Sequence, residues 1–448
     1  MKFSKFNLIV NNKLGQHFIF NTLNGNCLEV KKNIVELVSG NKVKSLDCSL
    51  LNEFTRLGLI VDDFIDENRI FKYFHNREKF RSDAVMSTVL LSWACNLKCV
   101  YCFEGNNEGI NMNLEQADQY IKFMENLAIE KSAKRMAICL FGGEPLVNFK
   151  IGVYILKTLK SFCEENSMIF TCSIITNGTL LNEDVIERLI KFNCNMVQIT
   201  LDGIQEIHDS RRMFKDGSGS FDKIIESLGL LNSKKNLLHT VIRVNIDKIN
   251  LEETYKLLNF IGKDGIDLTN CTVDFGIVRG STEACSAYSE NCFVEGEIGD
   301  VLFELWNVAE KEGFKYNIRP IRRWLYCGLY SDNQFTVTPD CEVYKCWEHT
   351  GNKEHLMGVI DENGRINNMQ YNFFDWMSND PLNNKECSQC AYLPTCGGGC
   401  GVVSYNESKT YHSTGCFKVK GVVEKQILKY VEQVANSKNL NLQIRGEN

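Results

Sequence analysis

Three cysteines lie close together in the first quarter of the chain, and their spacing is suited to holding metal. Cys95, Cys99 and Cys102 follow an apolar run and are separated by three and then two residues. A cubane iron–sulfur cluster normally takes four thiolates. Three thiolates leave one iron without a protein ligand, and an open coordination position is typical of a catalytic metal site. The alternatives are three buried thiols, or a zinc site completed by His75.

A second group of cysteines lies near the C-terminal end of the chain. The chain has 20 cysteines in 448 residues, and eight of them lie between residues 327 and 416. One zinc ion takes four ligands, so seven or more cysteines indicate two metal sites. Their tight spacing also differs from the long spacer of a zinc ribbon. The cysteines of this group are Cys327, Cys341, Cys346, Cys387, Cys390, Cys396, Cys400 and Cys416.

The composition predicts a globular protein that uses its cysteines for metal. Hydrophobic residues make up 44% of the chain and charged residues 24%, which is typical of globular proteins. A long chain without a signal sequence or a membrane-length apolar run differs from a secreted disulfide scaffold, and we expect it to be cytoplasmic. The net charge of −6 gives no basis for nucleic acid or an anionic membrane as the main partner.

Six apolar runs alternate with amphipathic stretches of helical length between residues 86 and 320. Near-continuous apolar strands that alternate with helices predict a parallel sheet covered on its outer face. Six βα units are too few to close an eight-stranded barrel, so we predict an α/β fold containing a partial (β/α)6 TIM barrel. Asn182 precedes two acidic residues and is a predicted N-cap. The runs are Val89–Trp93, Met136–Phe141, Phe170–Ile175, Met196–Leu201, Thr240–Ile246 and Val273–Val278.

The rest of the chain divides into three further predicted segments. Residues 1–85 contain short strand-type and helix-type runs that are compatible with a winged-helix-like module. Residues 321–420 are rich in loops, glycine and cysteine, so we expect metal to cross-link a segment that can build little core. Residues 421–448 are predicted to form a final helix, roughly Val422–Val434, and a polar tail.

Polar residues follow the second and third predicted strands of the barrel. Because α/β barrels keep their chemistry at the carboxyl ends of their strands, these residues are candidates for a site. Gly142 and Gly143 allow close backbone approach to a ligand, and the carboxylate of Glu144 can receive an ammonium group. The short side chains of Thr176 and Asn177 suit the hydroxyl groups of a ribose.

Asp202 and Arg212 follow the fourth predicted strand. The guanidinium fork of Arg212 is suited to a carboxylate ligand, with Arg211 as the alternative donor. The competing interpretations are a surface salt bridge between Arg212 and Asp209, and a helix-capping role for Asp202.

The first cysteine motif and the sequence Phe141-Gly-Gly-Glu-Pro145 together resemble the radical SAM superfamily. The resemblance implies that Cys95, Cys99 and Cys102 hold a 4Fe–4S cluster whose open iron chelates S-adenosylmethionine (SAM). It also implies that the backbone of Tyr101 contacts adenine.

The same resemblance implies how the rest of the cofactor is held. Glu144 and the adjacent backbone of Gly142 and Gly143 would hold the methionine amine. The pattern from Asp202 to Arg212 is similar to one in which the arginine pairs with the methionine carboxylate.

The C-terminal cysteines resemble a SPASM domain, which binds two auxiliary 4Fe–4S clusters and so implies three clusters in all. Cys341 stands where the family has glycine, and is either a further ligand or a free thiol. Trp347 stands where sulfatase-maturing relatives have an aspartate. The resemblance assigns one cluster to Cys387, Cys390, Cys396 and Cys416, and the other to Cys327, Cys346 and Cys400.

Residues 1–85 resemble the leader-peptide recognition modules of radical SAM peptide maturases. The resemblance therefore implies an enzyme that cleaves SAM to a 5′-deoxyadenosyl radical and installs an oxidative crosslink, of the thioether type, in a ribosomally made precursor peptide. It implies an external one-electron reductant such as flavodoxin or ferredoxin. The competing hypotheses are an anaerobic sulfatase maturase that forms formylglycine, and a non-catalytic electron carrier or peptide-binding scaffold.

Overall fold

The computed structural model describes residues 1–104, 109–263, 268–280, 282–314 and 318–436. The predicted tail from residue 437 onward lies outside these described residues. The strands are β1 (Lys2–Phe3), β2 (Asn7–Asn11), β3 (His17–Asn21), β4 (Cys27–Val30), β5 (Ile60–Val61), β6 (Ala84–Leu90), β7 (Arg135–Phe141), β8 (Ile169–Thr176), β9 (Cys194–Thr200), β10 (His239–Ile246), β11 (Cys271–Ile277), β12 (Gln334–Val337), β13 (Glu342–Tyr344), β14 (Gly358–Ile360) and β15 (Ile366–Asn367).

The α-helices alternate with the strands in the middle of the chain and cluster at its C-terminal end. They are α1 (Lys32–Ser39), α2 (Cys48–Arg56), α3 (Glu67–Lys79), α4 (Leu114–Lys131), α5 (Phe149–Glu165), α6 (Glu183–Lys191), α7 (Gln205–Arg211), α8 (Phe221–Ser233), α9 (Leu251–Lys263), α10 (Glu295–Lys311), α11 (Tyr371–Ser378), α12 (Lys385–Ser388), α13 (Leu393–Cys396), α14 (Gly401–Ser408) and α15 (Val422–Asn436). None of the helices in the described ranges is long and apolar enough to span a membrane.

Ten strands form one continuous sheet in the order β11-β10-β9-β8-β7-β6-β12-β13-β14-β15. The six strands from β6 to β11 pair in parallel, with helices between successive strands. Within the described part of the chain no ladder joins β6 to β11, so these strands do not close on themselves. The predicted α/β fold with a partial barrel is confirmed.

The barrel strands begin and end within two residues of their predicted bounds, except for the first one. β6 begins at Ala84, five residues before the predicted start at Val89, and ends at Leu90. Its early part contains the polar residues Ser87 and Thr88, which are nevertheless buried because β12 pairs with β6 there. The strand therefore starts just before the boundary proposed at residue 85, and the division into four segments stays a prediction.

The alternation of buried residues explains how the barrel keeps an accessible inner face. In β10, Ile242 and Val244 are fully buried in the main core, whereas Arg243 and Asn245, which alternate with them, are only half-buried. β7 and β8 alternate in the same way. Side chains on successive positions of a strand point to opposite faces, so one face packs against helices and the other is left for polar groups.

Local capping fixes where the helices of the barrel begin. The side chain of Asn182 accepts a hydrogen bond from the backbone N–H of Val185, which confirms the predicted N-cap of α6. Asn113 and Gln116 form a capping box at the start of α4, because each side chain bonds the other residue's backbone N–H. These caps set the first turn of the helices that follow the candidate site strands.

The N-terminal module is a three-stranded antiparallel sheet covered on both faces. β2, β3 and β4 pair in sequence order. Phe18 and Phe20 of β3 pack in one core with Ile427 of α15, whereas Ile19 between them packs with Phe54 of α2. One face of the sheet therefore packs against the other elements of the N-terminal module, and the opposite face packs against the C-terminal helix.

Candidate active site and metal centres

The cysteine loop after β6 is pinned to the segment that follows α7. Leu97 forms an isolated antiparallel bridge with Phe214. The backbone N–H of Lys98 donates to Met213 O at 2.9 Å, and that of Val100 donates to Arg211 O at 3.0 Å. These contacts bring the loop of the first barrel strand against residues that follow the fourth strand.

The three thiols of this loop lie near one another. Loss of hydration raises the pKa of the Cys102 thiol to about 12, and the charges of Cys99 and Cys95 contribute. Among the described residues no group of three His, Cys, Asp or Glu side chains could hold a single metal ion. The His75 imidazole donates through Nδ1 to Trp324 O at 2.7 Å, and the alternative of a zinc site completed by His75 stays untested.

The two glycines of the second strand end are required by backbone packing. Gly142 has a φ of +128°, and a Cβ there would lie 2.4 Å from Ser92 O. A Cβ at Gly143 would lie 2.5 Å from Trp93 O and 2.6 Å from Ala94 O. Both contacts are closer than van der Waals separation, so glycine lets the second strand end pack against the start of the cysteine loop. Contact of these glycines with a cofactor stays a prediction.

Glu144 is a fully buried carboxylate held by three donors. It accepts from the Thr176 hydroxyl at 2.7 Å, from Asn177 N–H at 2.7 Å and from Leu146 N–H at 3.0 Å. Burial raises its pKa, while these donors and the charge of Arg212 oppose the increase. No ion pair to Glu144 forms among the residues that the structure describes, so its negative charge is available to a cationic group.

Thr176 and Asn177 support neighbouring groups of the site. The Thr176 hydroxyl is used by Glu144, and it also accepts from Gly178 N–H at 3.0 Å. The Asn177 side chain donates to Asn96 Oδ1 at 2.8 Å, inside the cysteine loop. The structure therefore brings both residues to the predicted place, and the predicted contact with a ribose stays untested.

Tyr101 joins the cysteine loop to the fourth and fifth barrel strands. Its hydroxyl donates to Asp202 and accepts from Arg212 Nη1 at 2.8 Å and from Asn245 Nδ2 at 3.1 Å. Asp202 also accepts from Asn245 N–H at 2.9 Å. The interpretation of Asp202 as a helix cap is wrong, because its carboxylate bonds Tyr101 and Asn245 instead.

The structure separates the roles of the two adjacent arginines. Arg211 donates to Asp247 at 2.7 Å and to the Tyr288 hydroxyl at 2.9 Å, so its charge is compensated inside the fold. Arg212 lies near Cys99, and its buried Nε has no hydrogen-bond partner among the described residues. Asp209 accepts from two backbone N–H groups at the start of α8. The interpretation of a surface salt bridge between Arg212 and Asp209 is therefore wrong.

Arg211→Ala is expected to destabilise the protein strongly. The ion pair between Arg211 and Asp247 has side chains only 3% and 0% exposed, and removing one partner of such a pair costs about 3–5 kcal/mol. Arg188→Ala is the control, because its pair with Asp184 lies in solvent and is worth less than about 0.5 kcal/mol. Urea unfolding followed by fluorescence should show a lower midpoint for Arg211→Ala alone. Equal midpoints for the two variants would contradict the buried network.

The C-terminal cysteines form two sets in space. Burial raises the pKa of Cys327 to about 12, and the charge of Cys400 contributes. Burial also raises the pKa of Cys346, with contributions from Cys400 and Cys327. Burial likewise raises the pKa of Cys396 to about 12, with contributions from its three neighbours. The first set is Cys327, Cys346 and Cys400, and the second is Cys387, Cys390, Cys396 and Cys416.

Cys341 belongs to neither set. Its buried thiol donates to Gln116 O at 3.4 Å, on the first turn of α4. Burial raises its pKa to about 12, and the only charge that contributes is that of Asp340. Cys341 therefore lies apart from both sets, and metal binding by the other seven C-terminal cysteines stays a prediction.

The segment after Cys346 reaches across to the carboxyl end of β7. The rings of Trp347 and Phe141 have centroids 6.3 Å apart, and Phe141 directly precedes Gly142. Glu348 forms an ion pair with Arg279, which follows β11. The surface between the two cysteine regions is therefore lined by an aromatic pair and an ion pair.

Sequence reasoning missed three residues of this site. Asn245 and Asp247 lie at the end of β10, where the same rule that selected Thr176 would have found them. Tyr288 lies in a 3-10 segment, and its hydroxyl donates to Asp247 at 2.8 Å. No pattern in the sequence singles out Tyr288, because its contacts depend on how this segment folds back over the barrel.

The chain combines a six-stranded open barrel with a three-cysteine loop at the carboxyl ends of the strands. This combination is typical of enzymes that use radicals. A family model described as the Radical SAM superfamily matches residues 90–261. A cysteine-type anaerobic sulfatase-maturating enzyme from Clostridium novyi is 28% identical over 332 residues, covering 68% of this chain and 84% of that protein. The chain belongs to the radical SAM superfamily, and the predictions of the family and of an enzyme are confirmed.

Two further comparisons cover more of the chain. The radical SAM cyclopropyl synthase TigE from Paramaledivibacter caminithermalis is 23% identical over 429 residues, which cover 85% of each protein. The crystal structure of Streptococcus suis SuiB bound to precursor peptide SuiA has a TM-score of 0.52 and 17% identity. It covers 93% of this chain and 99% of that one, so the likeness of fold extends beyond the barrel.

Membership in the superfamily implies one 4Fe–4S cluster and SAM, and the described residues fit both groups. Cys95, Cys99 and Cys102 supply three thiols from one loop, and the buried Glu104 carboxylate lies close to Cys102. The buried Glu144 carboxylate lacks a cationic partner in the described chain, and Arg212 has a buried N–H that points to no acceptor there. These groups are complementary to an ammonium and a carboxylate.

Proposed function

We propose that this enzyme is a peptide maturase that installs an oxidative crosslink of the thioether type in a ribosomally made precursor peptide. The main support for this proposal is the position of the N-terminal module, which forms hydrogen bonds with the segment that contains the C-terminal cysteines. Thr22 donates to Ala391 O at 2.6 Å, and Lys5 donates to Ser388 O at 2.8 Å. A module in that position can present a bound leader to the metal-rich region.

The chain's own residues would orient the cofactor and the substrate. When bound, the first cluster and SAM supply a 5′-deoxyadenosyl radical that removes a hydrogen atom from the substrate. Arg212 would hold the methionine carboxylate through its free Nε, and Tyr101 keeps this guanidinium in place through Nη1. Glu144 would hold the methionine ammonium. Trp347 and Phe141 would cover the reacting carbon and exclude water.

We infer that the two sets of C-terminal cysteines hold two auxiliary 4Fe–4S clusters, as the resemblance to SPASM domains implies. Such clusters accept electrons, which suits an oxidative product. The first set has three thiols, because Cys341 bonds Gln116 instead. One iron of that cluster would lack a ligand from this chain, and a cysteine of the substrate could bind there. An external reductant such as flavodoxin or ferredoxin would supply the electron for SAM cleavage.

A second candidate is an anaerobic sulfatase maturase, which the similarity to the Clostridium novyi protein favours. That function is expected to need a base beside the substrate. Trp347 occupies the expected position, and the next carboxylate, Glu348, is ion-paired with Arg279. These observations favour the peptide crosslink.

Peptide mass spectrometry tests the proposed function. The enzyme would be reconstituted without oxygen, its iron counted, and a precursor peptide encoded beside its gene incubated with SAM and a strong reductant. The expected result is formation of 5′-deoxyadenosine and loss of one hydrogen pair from the peptide for each crosslink. An unchanged precursor together with an oxidised sulfatase fragment would reject the crosslink and establish the second candidate.

A further inference from the structure

A basic cleft lies next to α13, and Cys396 of the second cysteine set forms part of its wall. Its cavity volume is about 50 Å³, which is far below the ~300–1,000 Å³ of a site that encloses a whole ligand and suits a single side chain or small anionic group. All of its charged lining residues are cationic, namely Arg319, Arg323 and Lys418. The Arg323 N–H donates to Pro394 O at 2.7 Å, which fixes this wall of the cleft to α13. Polar lining is added by Tyr326, Thr395 and Gln426.

The three cations of the cleft are not neutralised by the described chain. None of them forms an ion pair with a carboxylate in the described residues. Asp274 lies near enough to affect Lys418, but it forms an ion pair with Arg243. Two positive charges on exposed arginines and a third on a half-buried lysine therefore share one concave surface. Such an arrangement favours a ligand with several negative charges.

Lys418 fixes the inner end of the cleft. Its ammonium donates to Phe275 O at 3.1 Å, on strand β11. This hydrogen bond holds the Lys418 ammonium against the edge of the ten-stranded sheet.

The position of the cleft links the N-terminal module with the barrel. Val419 and Val423 line the cleft and pack in the same core as Phe18 and Phe20 of the N-terminal sheet. On the other side, Lys418 contacts β11, which is the outermost strand of the ten-stranded sheet. A chain that runs from the module to the open side of the barrel would pass over these cations.

We propose that the basic cleft binds an acidic segment of the precursor peptide, between the leader and the residues to be modified. This inference rests on the proposed peptide-maturase function. The carboxylates of the segment would accept hydrogen bonds from Arg319 and Arg323. A concave surface that can take one acidic side chain at a time suits an extended chain better than the convex surface of a folded electron carrier. Each exposed ion pair adds little, so recognition depends on several acting together.

The test measures binding of a short acidic peptide to the anaerobically purified holoenzyme. Fluorescein-labelled hexaglutamate is titrated by anisotropy, with hexalysine as the charge control. The R319E/R323E variant is expected to bind hexaglutamate at least about tenfold more weakly, because two attractions become repulsions. Added salt should weaken binding to the unmodified enzyme. The matched control is R188E, on the exposed face of α6.

The outcomes separate this inference from the proposed function. SAM cleavage without peptide should be unchanged in R319E/R323E, and the milder R319Q/R323Q variant keeps the test valid if the first variant folds poorly. Equal hexaglutamate affinity in the variants and the unmodified enzyme would overturn the inference, even if the precursor is still crosslinked. Binding of flavodoxin to the unmodified enzyme but not to R319E/R323E, with no binding of hexaglutamate to either, would assign the cleft to an electron carrier and would also overturn the inference. Failure of all precursor modification would instead count against the proposed function.

Discussion

Cys99→Ala is expected to reduce SAM cleavage to background, a fall of more than about 10³-fold, because the cofactor carries the difficult step of the reaction. Cys99 lies in the loop pinned between β6 and the end of α7, and Arg212 lies beside it. Removing one of three thiols leaves two irons of the cubane without protein ligands, so the cluster should not be retained. The measurements are 5′-deoxyadenosine by chromatography and iron per chain. Iron should fall by about one third, since the two proposed auxiliary clusters remain.

A buried cysteine outside the cluster loops is the matched control for this experiment. Cys163 is fully buried in α5 and packs against Met136. Cys163→Ala should lose some packing energy, yet it should keep its full iron and its SAM cleavage. A Cys99→Ala protein that retained full iron, or that still cleaved SAM at the control rate, would remove the basis for assigning this loop to the first cluster.

Much of this architecture could be predicted because it follows from local patterns. The strand Thr240–Ile246 was predicted from its apolar run, and β10 begins one residue earlier, at His239. The cap at Asn182 was predicted from one polar residue before two acidic ones. Such features depend on neighbours in sequence, so a single chain contains the information needed to find them.

The site could be predicted less completely because its contacts join distant parts of the chain. Sequence spacing favoured Arg212 over Arg211, but only the structure shows why they differ. The charge of Arg211 is compensated by hydrogen bonds to Asp247 and Tyr288, which follow it in the sequence by 36 and 77 residues. The glycines after β7 were predicted to approach a ligand, whereas the structure packs them against the backbone of residues 92–94. A glycine pattern indicates that other atoms approach the backbone closely, but it does not identify those atoms.

The backbone explains why a cysteine at position 341 need not be a ligand. Cys341 has a φ of +61° in the turn between β12 and β13, where its N–H donates to Thr338 O at 3.0 Å. This left-handed region favours glycine and costs other residues about 1–2 kcal/mol. The glycine that the resemblance to SPASM domains implies at this position would suit the same turn. Cys341 occupies the same backbone conformation, and its thiol faces Gln116 O.

Cys341→Gly and Cys400→Ala are therefore expected to behave in opposite ways. Cys341→Gly relieves the strained turn while losing one small buried side chain, so stability should change by no more than about 1 kcal/mol. Its iron content, cluster spectrum and peptide crosslinking should match those of the unmodified enzyme. Cys400→Ala removes a thiol that lies beside Cys327 and Cys346. It should lose about a third of the iron and all crosslinking, while the first cluster still cleaves SAM.

The comparison of these two variants decides how many protein ligands the cluster near Cys327 has. Iron counting and electron paramagnetic resonance of the reduced proteins are the direct measurements. If Cys341→Gly lost iron as Cys400→Ala does, the turn between β12 and β13 would have to rearrange around metal, and the cluster would have four cysteines. A substrate thiol could then no longer occupy an open iron there, and the crosslink would have to form without it. Normal iron in Cys341→Gly would show that Cys341 is not a ligand, as its hydrogen bond to Gln116 O indicates, and would keep the open position that we propose for the peptide.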